Sequence, residues 1–396
     1  MFGTLTMAPP DAILGLTEAY NRDPNPNKIN LGVGVYKSTA GDTPVLSCVK
    51  VAEQRLLERE SSKGYRPITG DPRYGELVLK LAFGELHTAV INERCVTAHC
   101  PGGTGALRIL ADYLNRAHGA PTIWVPTPTW ANHPAIFSAA GLPVKAYPYF
   151  DRARNELHWK ALTEALSAIP AGDVLLLHAC CHNPTGVDPT PDQWRNIAAI
   201  LADRGVLPVF DFAYQGFGTG LDADAFGLRA VADRVPELVV CSSFSKNFGL
   251  YNERTGAMTL MAADKTTAQI EISHVKLAIR AGYSNPPAHG AAIVRTILED
   301  TELRTRWEAE LATMRERING MRRLLAETLG KKRANLDAAF IMRQRGMFSM
   351  SGITKAQAHA LRERFAIYLL DSGRINVAGV TPANVDRLCE GIAAVL

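Results

Sequence analysis

The chain has 396 residues, of which 47% are hydrophobic and 21% are charged, and its formal net charge is +4. This composition excludes a mainly disordered, fibrous or collagen-like protein, and the small charge excess argues against a nucleic-acid or membrane-surface protein. At about 150 residues per domain, the length predicts two to three domains.

Cysteine usage and the N-terminal sequence indicate the compartment. The seven cysteines are odd in number and irregularly spaced, which argues against a disulfide framework of the secreted kind. The N-terminus has neither the basic and apolar regions of a signal peptide nor the Arg- and Ser-rich composition of an organelle-targeting segment. No run approaches the ~18 consecutive apolar residues of a membrane helix. We therefore expect a cytoplasmic protein.

The first 300 residues predict an arm followed by alternating strands and helices. Turn-forming residues and one apolar run at 29–35 predict an arm, a loop and a strand within residues 1–43. Short apolar runs without strict alternation then indicate strands that are covered on both faces of a mostly parallel sheet. These predicted strands are 122–125, 144–147, 174–178, 207–212, 238–241 and 257–261. Intervening segments such as 191–201 have helical spacing, so the order predicts a doubly wound α/β fold.

A long helix and a smaller unit complete the chain. Apolar residues at steps of three and four between Leu303 and Leu325 predict one helix of several turns. Four arginines lie on its other face, which we interpret as a solvated surface rather than a nucleic-acid interface. They are Arg315, Arg317, Arg322 and Arg323. Predicted strands at 340–342 and 367–370 then flank a predicted helix at 355–364.

The glycine-rich sequence at 100–108 leads into a predicted helix. Free N–H groups at a helix start, aided by the helix dipole, form a site for phosphate or carboxylate. The dinucleotide fingerprint fails because Arg108 stands where its last glycine is needed. The P-loop fingerprint fails because the Gly330-Lys331 pair is followed by Lys332. Glycines that only form a turn are the alternative.

A second motif surrounds the end of the strand at 174–178. His178, Cys180 and His182 would share one face of a strand, which raises a zinc hypothesis. A closed zinc site needs a fourth ligand, and no C-x-x-C or H-x-x-x-H partner is present, so we expect no metal. The turn from Asn183 to Gly186 can hold the Asn183 amide at the carboxyl edge of the sheet, where ligands of open sheets bind.

Two further motifs place charged residues in apolar surroundings. Asp211 lies between two phenylalanines in a predicted strand, where a carboxylate needs a hydrogen bond or a cationic partner. A protonated heteroaromatic nitrogen would serve, and backbone groups are the alternative. Lys246 lies among hydroxyl and aromatic residues and Arg254 follows it. A lysine in such a pocket can form a Schiff base, and the alternative is a solvent-exposed lysine.

In this order, the motifs resemble those of fold-type I pyridoxal-phosphate enzymes, and within them the aspartate aminotransferase subfamily. The resemblance covers nearly the whole chain. It rests on the segments 30–36, 103–107, 183–186, 211–217, 243–247, 283–287 and 373–379.

The resemblance implies an α/β fold in which a large cofactor-binding domain with a mostly parallel sheet is joined by a smaller α+β domain. The expected domains are an N-terminal arm with part of the small domain at 1–43, the large domain at 44–313 and the small C-terminal domain at 314–396. The implied reaction is amino transfer between L-aspartate and 2-oxoglutarate, by a ping-pong mechanism with a Schiff base on Lys246. An aromatic or broad-specificity aminotransferase is the nearest alternative, and a non-catalytic metal or nucleic-acid binder is the more distant one.

The resemblance also assigns the residues that bind pyridoxal phosphate. Lys246 would form the Schiff base and then move the substrate proton, while Asp211 would keep the pyridine nitrogen protonated. Tyr214 and Asn183 would hydrogen-bond the phenolic oxygen, and Trp130 would stack on the ring. The phosphate would be held by Gly103, Thr104, Ser243 and Arg254, together with Tyr65 of a partner subunit. His133 would support Asp211 from behind.

Two arginines are expected to recognise the substrate. Arg374 would bind the α-carboxylate, and Arg280 would reach across a dimer to the distal carboxylate. The other expected substrate contacts are Gly34, Trp130 and Asn183. Since Tyr65 and Arg280 would both come from the partner, the resemblance implies an obligate homodimer.

The resemblance also implies a preference for dicarboxylates. Those that match aspartate-specific members are Val35, Lys37, Thr43, Thr104 and Asn285. Gly64 departs from the asparagine that is usual at its position. The missing side chain is expected to open space and relax the selectivity.

Overall fold

A computed structural model describes residues 2–8, 14–333 and 337–396. The strands in these ranges are β1 (Ile29–Asn30), β2 (Cys95–Pro101), β3 (Ile123–Thr127), β4 (Val144–Pro148), β5 (Phe150–Asp151), β6 (Glu156–Leu157), β7 (Val174–His178), β8 (Leu207–Phe212), β9 (Leu238–Ser243), β10 (Thr255–Met261), β11 (Phe348–Met350), β12 (Ile367–Tyr368) and β13 (Arg374–Asn376).

The α-helices of the same part of the chain cover the sheet and form most of the C-terminal unit. They are α1 (Leu14–Arg22), α2 (Ser47–Arg59), α3 (Pro72–Phe83), α4 (Thr88–Ile91), α5 (Gly102–Ala117), α6 (Asn132–Ala139), α7 (Trp159–Ala168), α8 (Pro191–Arg204), α9 (Leu221–Asp224), α10 (Phe226–Ala232), α11 (Lys265–Gly282), α12 (Ala288–Glu299), α13 (Thr301–Lys332), α14 (Ala339–Arg343), α15 (Lys355–Phe365) and α16 (Val385–Val395). A short 3-10 helix spans Val377–Gly379.

A seven-stranded sheet with the order β2-β10-β9-β8-β7-β3-β4 forms the centre of the molecule. Strand β10 is antiparallel to both of its neighbours, and the other neighbouring strands are parallel. Strands β7 and β9 are buried along their whole length, because helices cover both faces of the sheet. The prediction of an α/β fold with a mostly parallel sheet is confirmed. This arrangement brings the carboxyl ends of β7, β8 and β9 together at one edge.

The N-terminal segment contacts the C-terminal part of the chain. Strand β1 pairs in parallel with β12, so that Ile29 lies opposite Ile367. Strand β11 pairs with β13 in antiparallel orientation. Helix α13 continues through the predicted domain boundary at 313/314 without a break. The domain limits themselves stay a prediction.

Several predicted elements differ from the structure. The strand predicted at 340–342 is wrong, because these residues lie in helix α14 and the strand is β11. Phe340 and Ile341 are buried there while Met342 is exposed, so a run of three apolar residues fitted a helix as well as a strand. The strand predicted at 29–35 is limited to two residues. Helix α1 and strand β2 were not predicted.

The prediction of a solvated arginine face on α13 is wrong for Arg322. That side chain is 2% exposed and donates hydrogen bonds to Ser349 Oγ and to the carbonyl oxygen of Gly346. Arg315 and Arg317 are half-buried and also donate to backbone carbonyls, whereas Arg323 is exposed. The C-terminal unit covers this side of the helix, which the helical period alone does not indicate.

Two general features complete the description. All seven cysteines are free thiols. Within the described ranges, no helix is long and apolar enough to span a membrane.

Candidate active site

A cavity of about 250 Å³ lies at the carboxyl edge of the sheet. All the predicted site residues except Tyr65 and Arg280 line it: Gly34, Gly103, Thr104, Trp130, Asn183, Asp211, Tyr214, Ser243, Lys246, Arg254 and Arg374. Four further residues, which were not predicted, complete its wall: Leu107, Ala213, Ser245 and Phe348. Strands β7, β8 and β9 position the centre of the cavity, since Asp211 lies within β8 and Asn183 and Lys246 follow β7 and β9.

Lys246 presents its amine to this cavity. Its Nζ atom lies 5.4 Å from the centre of the Tyr214 ring and has no hydrogen bond or ion pair with the described residues. Burial lowers the pKa of Lys246 from 10.5 to about 8. The charge of Asp211 raises this pKa, while the charges of Arg254 and Arg374 lower it further. A substantial share of the amine is therefore unprotonated just above neutral pH, as a nucleophile or a base requires.

Asp211 is held by a hydrogen-bonded chain behind the cavity. His133 Nε2 lies 3.0 Å from Asp211 Oδ2, and His133 Nδ1 lies 2.7 Å from Thr129 Oγ1. Burial would raise the pKa of Asp211, but the hydrogen bond and charge of His133 hold it below its usual value. An ionised carboxylate only accepts hydrogen bonds, so Nε2 carries the proton toward Asp211. The other carboxylate oxygen has no partner among the described residues and can accept from a ligand.

An anion site lies where helix α5 begins. Gly102 has φ +76° there, and a Cβ atom at this position would lie 2.5 Å from the Arg254 guanidinium, so only glycine fits. Arg254 Nη1 is 3.3 Å from Ser245 Oγ, which in turn is 3.2 Å from Ser243 Oγ. A cation, two hydroxyls and the N–H groups of a sixteen-residue helix converge here, which suits a phosphate.

The turn that carries Asn183 is anchored on the C-terminal unit. Gly186 has φ +68°, and a Cβ atom there would lie 2.7 Å from the carbonyl oxygen of Phe348. The Arg345 N–H donates to the Gly186 carbonyl at 2.6 Å. The Asn183 side chain is buried, and its Oδ1 atom has no hydrogen-bond partner in the described part of the chain. Leaving a buried polar atom without a hydrogen bond costs free energy, and a ligand in the cavity that bonds to this amide would remove that cost.

Arg374 is a buried cation without an acidic partner among the described residues. It is 3% exposed, and its Nη2 atom donates to the Gly32 carbonyl at 2.5 Å. Its Cζ atom lies 4.1 Å from the centre of the Phe348 ring. Burial lowers the pKa of Arg374 to about 10, so the group stays charged near neutral pH. The remaining donors can bind a carboxylate.

Two predicted site residues lie outside the cavity of their own chain. Tyr65 is 96% exposed on an extended loop. Arg280 is exposed near the end of α11 and forms a short hydrogen bond with Ser284 Oγ. Within one chain, the structure therefore does not bring these two residues to Lys246.

In the described chain, the three residues of the zinc hypothesis do not come together in one group of possible metal ligands. No cluster with metal-binding geometry contains His178, Cys180 and His182 together. The rings of His178 and His182 pack 4.2 Å apart, whereas Cys180 lies with Cys181 and Asp224. Burial lowers the pKa of His178 to about 3, so this imidazole is a neutral packing residue behind the cavity.

Phe348 and Ser245 are the main residues that sequence reasoning missed. Ser245 stands inside the motif around Lys246, so its position beside Arg254 was a signal. Phe348 lies in the apolar run Met347-Phe348-Ser349-Met350, and its place in the cavity follows only from the pairing of β11 with β13.

Comparison with known proteins identifies the family. Residues 26–392 match the family described as aminotransferase class I and II. The aspartate aminotransferase of Escherichia coli (strain K12) is 53% identical over 396 residues, which cover 100% of both chains.

Solved structures lead to the same family. An aromatic-amino-acid aminotransferase of Burkholderia pseudomallei, covalently bound to pyridoxal phosphate, has a TM-score of 0.97 at 44% identity and covers 100% of this chain and 99% of that one. The aspartate aminotransferase of Saccharomyces cerevisiae cytoplasm has a TM-score of 0.97 at 37% identity, and the match covers 100% of this chain and 98% of that one. The resemblance that the motifs indicated is confirmed, and the chain belongs to the class I and II aminotransferase family.

Proposed function

We propose that the protein transfers the amino group between L-aspartate and 2-oxoglutarate, giving oxaloacetate and L-glutamate, with pyridoxal phosphate as its cofactor. The observation that carries this proposal is the cavity itself, which is lined by a lysine with a lowered pKa, by an aspartate that is hydrogen-bonded to a histidine, and by an arginine with no acidic partner among the described residues. The full-length likeness to an aspartate aminotransferase supports the choice of substrate.

The chemistry of the cavity fits pyridoxal phosphate at each of its functional groups. The free oxygen of Asp211 can accept a hydrogen bond from a pyridine N–H⁺, and the free Nζ of Lys246 can bond to the aldehyde. The unpartnered Asn183 amide suits the phenolic oxygen. The start of α5, with Ser243 and Arg254, suits the phosphate.

Pyridoxal phosphate supplies, when bound, the carbon that accepts the amino group and a ring that draws electrons from the substrate Cα atom. Asp211 keeps a proton on the ring nitrogen, because an anion beside a heterocyclic N–H⁺ raises its pKa. Burial raises the pKa of Tyr214 far above its usual value, so its hydroxyl remains a donor toward the phenolic oxygen. Trp130 lies at the wall and packs edge-on against His133, with centroids 5.2 Å apart.

Lys246 then acts as the base of the reaction. With its pKa lowered by burial, Nζ would take the proton from the substrate Cα atom and deliver it to the cofactor carbon that is bonded to the amino nitrogen. Arg374 holds the α-carboxylate, which orients the Cα–H bond toward Nζ. The amino group leaves one acid and enters the other in two half-reactions, so a ping-pong order follows.

The distal carboxylate and the dimer belong to the same proposal. Arg280 and Tyr65 are exposed on their own chain, and a second subunit that supplies both would complete the site. We infer a two-fold homodimer in which each subunit contributes these residues to the other cavity. A cytoplasmic location is also part of the proposal and agrees with seven free cysteines.

An aromatic or broad specificity is the second candidate. It is favoured by Gly64, which lies beside Tyr65 and provides no side chain. It is also favoured by the structural likeness to an aromatic-amino-acid aminotransferase.

A spectrum and a two-substrate assay test the proposal. The purified protein should be yellow and should convert aspartate with 2-oxoglutarate, with kinetics that give parallel double-reciprocal lines. A kcat/KM for aspartate well above that for tyrosine supports the first candidate, and comparable values support the second. Colourless protein that does not respond to added pyridoxal phosphate would contradict both.

A further inference from the structure

We propose that Phe348 positions Arg374 for the α-carboxylate of the substrate, and that the buried Arg322 holds Phe348 in place. This inference rests on the proposed function, because it concerns the carboxylate that every amino-acid substrate carries. Neither residue was indicated by a sequence motif.

Phe348 holds the Arg374 side chain with a neutral ring instead of a negative charge. The guanidinium lies over the ring, with 4.1 Å between Cζ and the ring centre, which is within the range of a cation–π interaction. An acidic partner would also hold Arg374, but it would compete with the substrate carboxylate for the same donors. A ring attracts the cation and leaves its in-plane N–H groups free, which is what a site for a transient anion requires.

The Phe348 ring is itself confined on two sides. It packs edge-on against Tyr214, with ring centres 5.8 Å apart and planes at 81°. A Cβ atom at Gly34 would lie 3.5 Å from Phe348 Cζ, so the N-terminal segment closes the other side. In the β11·β13 ladder Met350 lies opposite Arg374, which places Phe348 diagonally across on the same face.

Arg322 fixes the backbone that carries this ring. From helix α13 it donates hydrogen bonds to Ser349 Oγ and Gly346 O, and its Nη2 atom is 3.5 Å from Phe348 O. No acidic side chain pairs with it among the described residues, although it is 2% exposed. Burying a cation without an anion costs free energy, and the hydrogen bonds from Arg322 to Ser349 and Gly346 offset that cost. Arg322 ties the segment 346–349 to the long helix.

The expected consequence is a uniform effect on substrates. Since the α-carboxylate is common to all amino acids, loss of the Phe348 ring should weaken the binding of aspartate and of phenylalanine equally. Loss of Arg280 should instead weaken the binding of aspartate alone. This difference separates a residue that positions Arg374 from one that selects the side chain.

The test compares Phe348→Leu with Phe348→Tyr in the holoenzyme. For Phe348→Leu we expect KM to rise about tenfold for aspartate and for phenylalanine, with kcat changed less than about threefold, whereas Phe348→Tyr keeps KM within about threefold. The Kd of hydrocinnamate, which has the carboxylate but no amino group, should rise by the same factor in an absorbance titration. Phe340→Leu, a buried phenylalanine outside the cavity, is the matched control and should lower only the thermal stability.

Arg322→Lys is the second variant, with the exposed Arg323→Lys as its control. Lysine has one ammonium nitrogen in place of the two Nη atoms that bind Ser349 Oγ and Gly346 O, so KM should rise about threefold for both substrates. Arg323→Lys should change neither KM value. An unchanged KM in Phe348→Leu and Arg322→Lys, or a rise for one substrate only, would overturn the proposal. Failure of the proposed function would differ, because the wild-type protein itself would then show no aspartate turnover.

Discussion

The cavity has two halves that are built from different parts of the chain. The cofactor half, which we define as Asn183, Asp211, Ser243 and Lys246, stands at the ends of three neighbouring strands of the seven-stranded sheet. The substrate half, which we define as Gly34, Phe348 and Arg374, comes from the N-terminal segment and the C-terminal unit. Its supports are two-stranded sheets and the helix α13.

The two halves also differ in how they hold charge. In the cofactor half, the anion Asp211 is paired with His133 at 3.0 Å. In the substrate half, the cation Arg374 has a carbonyl and a ring as neighbours but no acidic partner among the described residues. The hydrogen-bonded pair Asp211–His133 on the sheet suits a cofactor that stays bound. The Arg374 cation, which is held in place without an acidic partner, suits a substrate that enters and leaves.

The largest expected effect lies in the cofactor half. Lys246→Ala removes the only amine that lines the cavity in the described chain, and turnover should fall by at least about three orders of magnitude because the proton has no carrier. The visible absorbance of the lysine-linked cofactor should also disappear. Lys160→Ala, on the exposed face of α7, is the control and should change neither property. Full activity in Lys246→Ala would remove this lysine from the mechanism.

The two arginines that we propose to bind the substrate are expected to differ in selectivity. Arg280→Leu should lower kcat/KM for aspartate about a hundredfold, the cost of leaving one carboxylate unpaired, and should change that for phenylalanine less than about threefold. Arg374→Leu should lower both values, since both substrates carry an α-carboxylate. Equal losses in Arg280→Leu would mean that this residue does not recognise the distal carboxylate. Steady-state kinetics with the two amino acids measure the difference.

The same contrast explains what the sequence could and could not predict. The strands at 174–178 and 207–212 were placed with their correct bounds, because buried parallel strands are continuous apolar runs. Strand β2 was not predicted, because Thr97 and His99 interrupt its apolar pattern. The cofactor half follows such strands closely in the chain, so its residues could be identified as motifs.

The substrate half offered fewer signals. Arg374 is conspicuous as a charged residue in an apolar, glycine-rich run, whereas Phe348 has no chemical signature in an apolar segment. Arg322 was assigned to a solvated face, because the helical period identifies the apolar side of α13 but not the unit that covers the other side. Contacts between segments far apart in the chain decide these positions, and a single sequence does not contain them.

The pH dependence of cofactor attachment tests the electrostatics of the cofactor half. In the proposed mechanism, attachment needs the unprotonated Nζ of Lys246, whose pKa is lowered by burial to about 8. The rate at which cofactor-free protein gains visible absorbance should rise about tenfold per pH unit below 8 and level off above it. Asp211→Asn removes a charge that raises this pKa, so the inflection should move to lower pH. A rate that still rises above pH 10 would indicate a lysine with an ordinary pKa.

The smallest expected effect concerns Gly64, which is exposed and lies outside the cavity of its own chain. Its N–H donates to Ser62 Oγ at 3.1 Å, and its neighbour Tyr65 is 96% exposed. In the proposed homodimer, this loop would contact the cavity of the partner subunit. Gly64→Asn should raise the ratio of kcat/KM for aspartate to that for phenylalanine about threefold, as one added hydrogen bond would. Gly64→Ala adds bulk without an amide and should leave the ratio unchanged. If neither variant shifts the ratio, position 64 does not set the specificity. If both raise it alike, added bulk beside Tyr65 sets the specificity and the amide does not. If only Asn shifts the ratio, the substrate half extends across the dimer, and its selectivity depends on an element that a single chain leaves exposed.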